Sequence, residues 1–261
     1  MANRRDFLAA GGMGLASMMG TTSAHAAEGG GGRDLYEIRQ YHLDDETQRQ
    51  ALDAFLRDAA IPALNRAGIA TVGVFHPVKD PGPTYVLLRH QSPTTLVAAT
   101  HGLATDADLR ARGAPVLAPP PGKPAYKRME SSLLLAFKGM PTLETPAKGP
   151  GRVFQLRIYE SPSVGAGQKK IEMFDDAGEI AIFRRSGLNP VFFGEAIVGS
   201  KMPNLTYMLG FESEATLKAA WDKFRTDPDW KRISGMPEYA DKVILSGITN
   251  IVLKPAEFSQ I

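Results

Sequence analysis

The sequence predicts an α+β fold made of two tandem βαββαβ units packed sheet to sheet, and three observations predict it. The stretch Tyr36-Glu37-Ile38-Arg39-Gln40-Tyr41 returns as Phe154-Gln155-Leu156-Arg157-Ile158-Tyr159, 118 positions later and in the same parity. Each copy is followed by the same succession of helix, glycine stop, hairpin, capped helix and closing strand. Between the copies, residues 139–151 carry Pro141, Pro146 and Pro150 and no periodicity, which marks a linker.

The opening strand, 35–43, alternates an apolar triplet (Tyr36, Ile38, with Gln40) with a polar one (Glu37, Arg39, Tyr41), the period of a half-buried strand. Asp44-Asp45-Glu46 gives the next helix a negative N-terminus. Leu52, Phe55, Leu56, Ala59 and Leu64 recur at helical spacing, Pro62 predicts a kink or break, and Ala67-Gly68 predicts the stop. Strands follow at 69–76 and 84–90 around the turn Asp80-Pro81-Gly82-Pro83. Ser92-Pro93 reads as an N-cap with proline in the first turn, opening a helix through Leu96 and Leu103 toward Leu109. Pro119-Pro120-Pro121-Gly122 is a loop before the fourth strand, 131–137.

The second copy repeats the plan: strand 153–160, helix 168–185 closed by Gly187, and strands 188–195 and 204–212. Ser213 caps a helix carrying Leu217, Ala220, Trp221 and Phe224, Asp227-Pro228-Asp229-Trp230 ends it, and 247–253 is the last strand. The first copy reads as lacking that ending, with Thr105-Asp106-Ala107-Asp108 nearby instead. A βαββαβ unit carries both helices on one face of an antiparallel sheet, so the other face needs a cover. Two units laid face to face make a sheet-walled barrel whose lumen is lined by the residues that do not face the helices.

Asn3-Arg4-Arg5-Asp6-Phe7-Leu8, an uncharged run over 9–24 and Ala24-His25-Ala26 read as a twin-arginine export signal cleaved after Ala26. The expected organisation is signal 1–26, flexible joint 27–33, first unit 34–138, linker 139–151 and second unit 152–256, in a protein that is periplasmic or secreted. The 261 residues carry 30 Lys and Arg against 28 Asp and Glu, a net charge of +2, and no basic block follows the signal. Nucleic acid and anionic membrane therefore lack an electrostatic footprint. With no cysteine in the chain, disulfides, iron–sulfur clusters and thiolate zinc sites are excluded.

The two openings at 36–41 and 154–159, the helix-ending Gly68 and Gly187 before apolar strands, and Asp227-Pro228-Asp229-Trp230 resemble the NIPSNAP domain, over residues 34–137 and 152–254. The resemblance implies ferredoxin-like units joined as in the dimeric α/β-barrel superfamily. It carries over no catalytic residues; the wider superfamily includes small monooxygenases, haem-using enzymes and isomerases, and borrowing any of these activities is analogy of fold.

Arg39 and Arg157 occupy matching positions on the polar face and are expected to approach one shared lumen. There they either clamp a carboxylate or other anion, or act structurally, with Arg39 paired to Glu37 or another internal acid and tying the two sheets together. Tyr41, Tyr159, Tyr85 and Tyr207 are expected to ring that lumen, as a site for an aromatic or quinone-like molecule or as a packed centre. His76 and Glu195, at matching ends of the second strands, are candidate proton shuttles or solvated strand ends. Trp221 and Trp230 read as core and helix-end packing. His101 is the best lone candidate for a haem ligand, yet no histidine stands in a metal-ligand spacing, and neither Gly-x-Ser-x-Gly nor a Gly-x-Gly-x-x-Gly after a strand is present.

The expectation is thus an exported small-molecule-binding or interaction protein with no cofactor and no metal. The alternative is a cofactor-independent monooxygenase or isomerase acting on a small aromatic or anionic substrate in the lumen. Since the tandem copy supplies its own pseudo-dimer, the chain is expected to be a monomer or a modest homodimer.

Overall fold

A computed structural model describes residues 32–79 and 82–261. The export signal, most of the joint, and Asp80 and Pro81 of the hairpin turn lie outside the described residues.

The first unit runs β1 (Leu35–His42), α1 (Glu46–Phe55), a π-helical turn (Leu56–Ala60), α2 (Ile61–Arg66), β2 (Val72–Pro77), β3 (Thr84–His90), α3 (Pro93–Thr105), α4 (Ala107–Leu117) and β4 (Arg128–Ala136). Asp45 caps α1, and the π-helical turn lies just ahead of Pro62, which removes a backbone donor. Ser92 caps α3 in a capping box with Thr95. The expected single helix toward Leu109 is two, because Asp106 turns extended and recaps the chain as α4.

The second unit runs β5 (Val153–Glu160), α5 (Val164–Asp175), α6 (Glu179–Ser186), β6 (Asn189–Val198), β7 (Asn204–Phe211), α7 (Glu214–Thr226), α8 (Pro228–Ser234), a short 3-10 turn (Pro237–Tyr239), α9 (Asp241–Ile244) and β8 (Gly247–Pro255). Here too the expected helix 168–185 is broken, at Gly178, whose φ of +91° few other residues tolerate. Asp227 does not merely end α7; it caps α8, accepting from the backbone of Asp229 and Trp230. The first copy does not lack this ending: Thr105-Asp106-Ala107-Asp108-Leu109 is its counterpart, with alanine for proline and leucine for tryptophan. The same brace accompanies both, Arg66 to Asp106 at 2.7 Å and Arg185 to Asp227 at 2.5 Å.

The eight strands close into one antiparallel barrel in the order β1-β3-β2-β8-β5-β7-β6-β4. Within each unit this is the ferredoxin-like order, and the β2–β8 and β4–β6 seams join the units. Pairing is in register at the repeat: Arg39 faces Val86 across β1–β3, and Arg157 faces Tyr207 across β5–β7.

Three apolar cores result. One lies inside the barrel and takes residues from both units: Tyr36, Ile38, Phe75, Tyr85, Phe154, Leu156, Phe192, Met208 and Leu253 among them. Its rings interlock, Tyr36 with Phe192 at 4.8 Å and Phe75 edge-on to Phe154 at 4.9 Å. Gly194 permits this packing, since a Cβ there would come within 2.8 Å of Leu134. The other two cores lie outside the barrel, between the sheet and the helices of each unit. Residues past 256 belong to the structure as well: Ile261 packs into the lumen, and the Gln260 side chain accepts from the Val72 amide at 2.9 Å, so the second unit extends beyond its expected limit.

This arrangement corrects the expected lumen. The apolar triplet of each opening strand points into the barrel and the polar triplet points out toward the helices. A barrel sheathed in helices buries both faces, so alternation identifies two faces without saying which is inside. The lumen is accordingly filled with hydrocarbon, and Arg39 and Arg157 do not meet in it.

Candidate functional site

Each arginine instead sits in its own cleft between the outer face of the sheet and the helices of its unit. In the second unit, a cleft of about 570 Å³ is lined by Gln155, Arg157 and Tyr159 from β5, Ile248 and Asn250 from β8, Lys170 from α5, Glu179 from α6, Trp221 and Phe224 from α7, and Trp230 from α8. In the first, a cleft of about 480 Å³ is lined by Glu37, Arg39 and Tyr41 from β1, Phe55, Leu56, Leu64, Thr100, Leu103, Leu109, Val116, Leu117 and Tyr126.

The first cleft is electrically closed. Glu37 accepts from Arg39 Nε at 2.6 Å and Nη2 at 3.1 Å, from Ser131 Oγ at 3.1 Å, and contacts His90 Nε2 at 3.2 Å. Burial pushes the Glu37 carboxyl upward, but the His90, Arg39 and Ser131 contacts outweigh it and hold the group down at about 2. Arg39 is thus the internal partner of Glu37.

A pH dependence follows. The free carboxyl titrates at 4.5 and the folded one at about 2, so its stabilisation is complete above 4.5 and disappears as pH falls from there toward 2. The difference corresponds to about 3 kcal/mol. Urea midpoints measured across that range should fall more steeply for the wild type than for Glu37→Gln; equal slopes would refute the assignment.

In the second cleft, where Glu179 and Asp241 also stand in the lining, the arginine has no carboxylate hydrogen-bonded to it. Position 155, which matches Glu37, is glutamine. Trp221 Nε1 donates to Gln155 Oε1 at 2.6 Å, which fixes the amide orientation because an indole only donates, and Gln155 Nε2 donates to Asn250 Oδ1 at 2.8 Å. Arg157 therefore has no carboxylate beside it on the strand, and no ion pair to it is found among the described residues. Its guanidinium lies 4.7 Å over the Trp221 ring and 5.1 Å over Tyr159, a stacking worth about 0.5–2 kcal/mol. Its Nε is buried and meets no acceptor among the described residues.

Behind it, Lys170 and Glu179 form an ion pair at 3.0 Å, each about 2% exposed. The Lys170 ammonium also lies 4.6 Å from the Phe174 ring centre. Burial pushes Glu179 upward, against the attraction of Lys170. Tyr207 donates to the Tyr159 hydroxyl at 3.1 Å, and burial raises both phenols.

Counting from matched caps and stops shows how the units diverge. Ser92 and Ser213 place Thr100 opposite Trp221; Asp106 and Asp227 place Leu109 opposite Trp230; Asp45 and Ser163 place Leu52 opposite Lys170; Gly68 and Gly187 place Ala60 opposite Glu179. Trp221, Trp230, Lys170 and Glu179 of the second cleft thus each have a small or aliphatic counterpart in the first.

The remaining predicted residues scatter. Tyr41 lines the first cleft and Tyr159 the second. Tyr85 and Tyr207 are not equivalents: Tyr85 pairs with Gln40 and faces the lumen, its true counterpart is Thr206 opposite Ile158, and Tyr207 matches Val86. A slip of one residue inverts the face. His76 lies outside both clefts, 3.2 Å from Thr84 Oγ1 and 3.2 Å from Asp53 without an aligned hydrogen bond. Glu195 is half-buried and does not line either cleft, and His101 is exposed on α3. Trp221 and Trp230 do pack, as expected, but they also line the cleft. Lys170 and Glu179 escape sequence reasoning because they lie on two helices separated by Gly178, with no periodic signal linking them.

Comparison with known proteins adds the following. Residues 154–260 match the family model described as NIPSNAP. Among solved structures, a proposed monooxygenase from Fusobacterium nucleatum subsp. nucleatum superposes with a TM-score of 0.56 at 7% identity, over 86% of this chain and 93% of that one. A proposed monooxygenase from Lactobacillus acidophilus gives 0.55 at 13% identity, over 88% and 98%. An anthrone oxidase-like protein gives 0.52 at 11% identity, over 86% and 92%. At these identities the likeness shows the shared barrel fold. A search of curated proteins finds no match.

Proposed function

We propose that the chain is a tandem NIPSNAP protein, exported by the twin-arginine route, whose second unit binds a small aromatic anion in the cleft between β5 and helices α7 and α8. Arg157 is the observation that carries this reading: a half-buried guanidinium, its Nε buried without an acceptor among the described residues, stacked on Trp221 and Tyr159, whose counter-charge is missing from the position where the first unit supplies it. A buried cation ordinarily has an anionic partner, and a planar carboxylate matches the guanidinium fork. Trp221, Trp230 and Phe224 offer ring faces beside it, and a volume of about 570 Å³ suits a one- or two-ring acid. Support for export comes from Arg4-Arg5 and Ala24-His25-Ala26.

The test is calorimetry and tryptophan fluorescence with salicylate and naphthoate, each against its uncharged amide. Saturable binding of an acid, one per chain, at least about tenfold tighter than its amide, is expected. Absence of saturable binding by both acids at millimolar concentration would overturn the reading.

A second reading is favoured by the Lys170–Glu179 pair: buried titratable groups bordering a ligand cleft suit proton transfer, as in a cofactor-independent oxygenase or isomerase acting on the same bound anion. Oxygen uptake, or a chromatographically distinct product of the same or altered mass, on incubation with a bound acid would separate turnover from binding alone.

A further inference from the structure

We infer that the residue two before the arginine on each opening strand, Glu37 in the first unit and Gln155 in the second, is a charge selector that decides which cleft admits an anion; this rests on the binding reading above and deepens it. The two positions are equivalent by the repeat, both side chains are largely buried, and both lie on the helix-facing side of the strand beside the arginine. In the first unit the carboxylate occupies the guanidinium fork with two hydrogen bonds, at 2.6 and 3.1 Å, so an incoming anion would meet a satisfied cation and a fixed negative charge. In the second, the amide makes no bond to the arginine. Its oxygen is held by Trp221 and its nitrogen by Asn250, which leaves Arg157 facing the cleft.

Trp221 and Asn250 are therefore the residues that keep the selector in its permissive state. Gln155 acts through Arg157 and is a positioning residue. The exchange is conservative in volume, so the selector works by charge: a glutamate at 155 can still accept from Trp221 and would also accept from Arg157, as Glu37 does from Arg39. The first cleft, of about 480 Å³, then becomes a latent anion site blocked by its own glutamate.

The experiment uses naphthoate and naphthamide as probes on the whole chain, with thermal unfolding to confirm folding. The wild type should bind one naphthoate. Gln155→Glu should weaken naphthoate by about tenfold or more while leaving naphthamide unchanged, which a merely structural defect would not do. Glu37→Gln should raise the stoichiometry from one naphthoate to two. A Gln155→Glu chain that binds naphthoate as tightly as the wild type overturns the selector. A wild type that binds no naphthoate overturns the functional reading instead, and Glu37→Gln then decides the selector alone: a newly acquired site upholds it, and none refutes it. Should Glu37→Gln fail to fold, the Gln155→Glu comparison decides.

Discussion

Replacing Arg157 by glutamine should weaken binding of an aromatic carboxylate by at least about 30-fold while leaving the folded chain as stable as before, or more so. The first half of this expectation comes from losing a desolvated, hydrogen-bonded charge partner, which costs about 2–5 kcal/mol in other complexes. The second comes from the unliganded protein, in which Arg157 is half-buried, its buried Nε has no acceptor among the described residues, and stacking on Trp221 is its main compensation. An unsatisfied buried donor costs about 1–3 kcal/mol, comparable to what the stacking returns. Arg157→Lys should fall between, since an ammonium keeps the charge but loses the fork and the flat contact with the indole. Titration with naphthoate and thermal unfolding of the same samples measure both halves. Loss of folding in Arg157→Gln with no selective effect on the acid would make the arginine a structural pillar and remove the site.

The corresponding change in the first unit should behave in the opposite way. Arg39→Gln leaves Glu37 buried beside His90 without its bidentate partner, so its cost falls on folding. This contrast separates two arginines that the sequence places at equivalent positions, and it shows what local pattern can and cannot reveal. Backbone signals are legible: β3 and β5 lie where alternation puts them, Ser92 and Ser213 cap the helices assigned to them, and Gly68 and Gly187 take the left-handed turn at each helix end. These features depend on a few neighbouring residues.

The direction of the faces is not legible, because helices cover the outside of the barrel and aromatic rings fill the inside, so neither face of β1 or β5 is solvated enough to be told from the other. The clefts depend on tertiary placement. Gln155, Trp221 and Asn250 come from a strand, a helix and a strand far apart in sequence, and only their meeting explains why position 155 is an amide. Tyr85 and Tyr207 illustrate the other failure, in which residues of one type in similar strands align by identity while pairing through Gln40 and Arg157 places them on opposite faces.

The largest stability effect should come from the Lys170–Glu179 pair. Removing one member of a buried ion pair strands the other charge, and the usual cost is about 3–5 kcal/mol. Lys170→Leu alone and Glu179→Ala alone should each lower the stability measured by urea unfolding by about that amount. The double variant should recover most of the loss, because it installs the residues the first unit uses at the same places, Leu52 and Ala60, both buried there. A coupling of at least about 2 kcal/mol in the double-mutant cycle is the expected result, and additive losses would refute it.

The single Lys170→Leu variant carries a further sign. Burial pushes Glu179 upward from its ordinary 4.5, and without the ammonium only the weaker attraction of Arg157 opposes that. A raised carboxyl favours the fold below its unfolded value and loses that advantage as pH rises through its folded value. Lys170→Leu should therefore be more stable below pH 4.5 than at neutrality relative to the wild type, and the double variant, having no carboxyl there, should lack this dependence. If the double variant keeps both its affinity for naphthoate and any turnover seen in the wild type, the pair serves the fold of the second unit. If it binds the acid normally but abolishes a turnover seen in the wild type, the same two groups are the proton-transfer machinery of an enzyme.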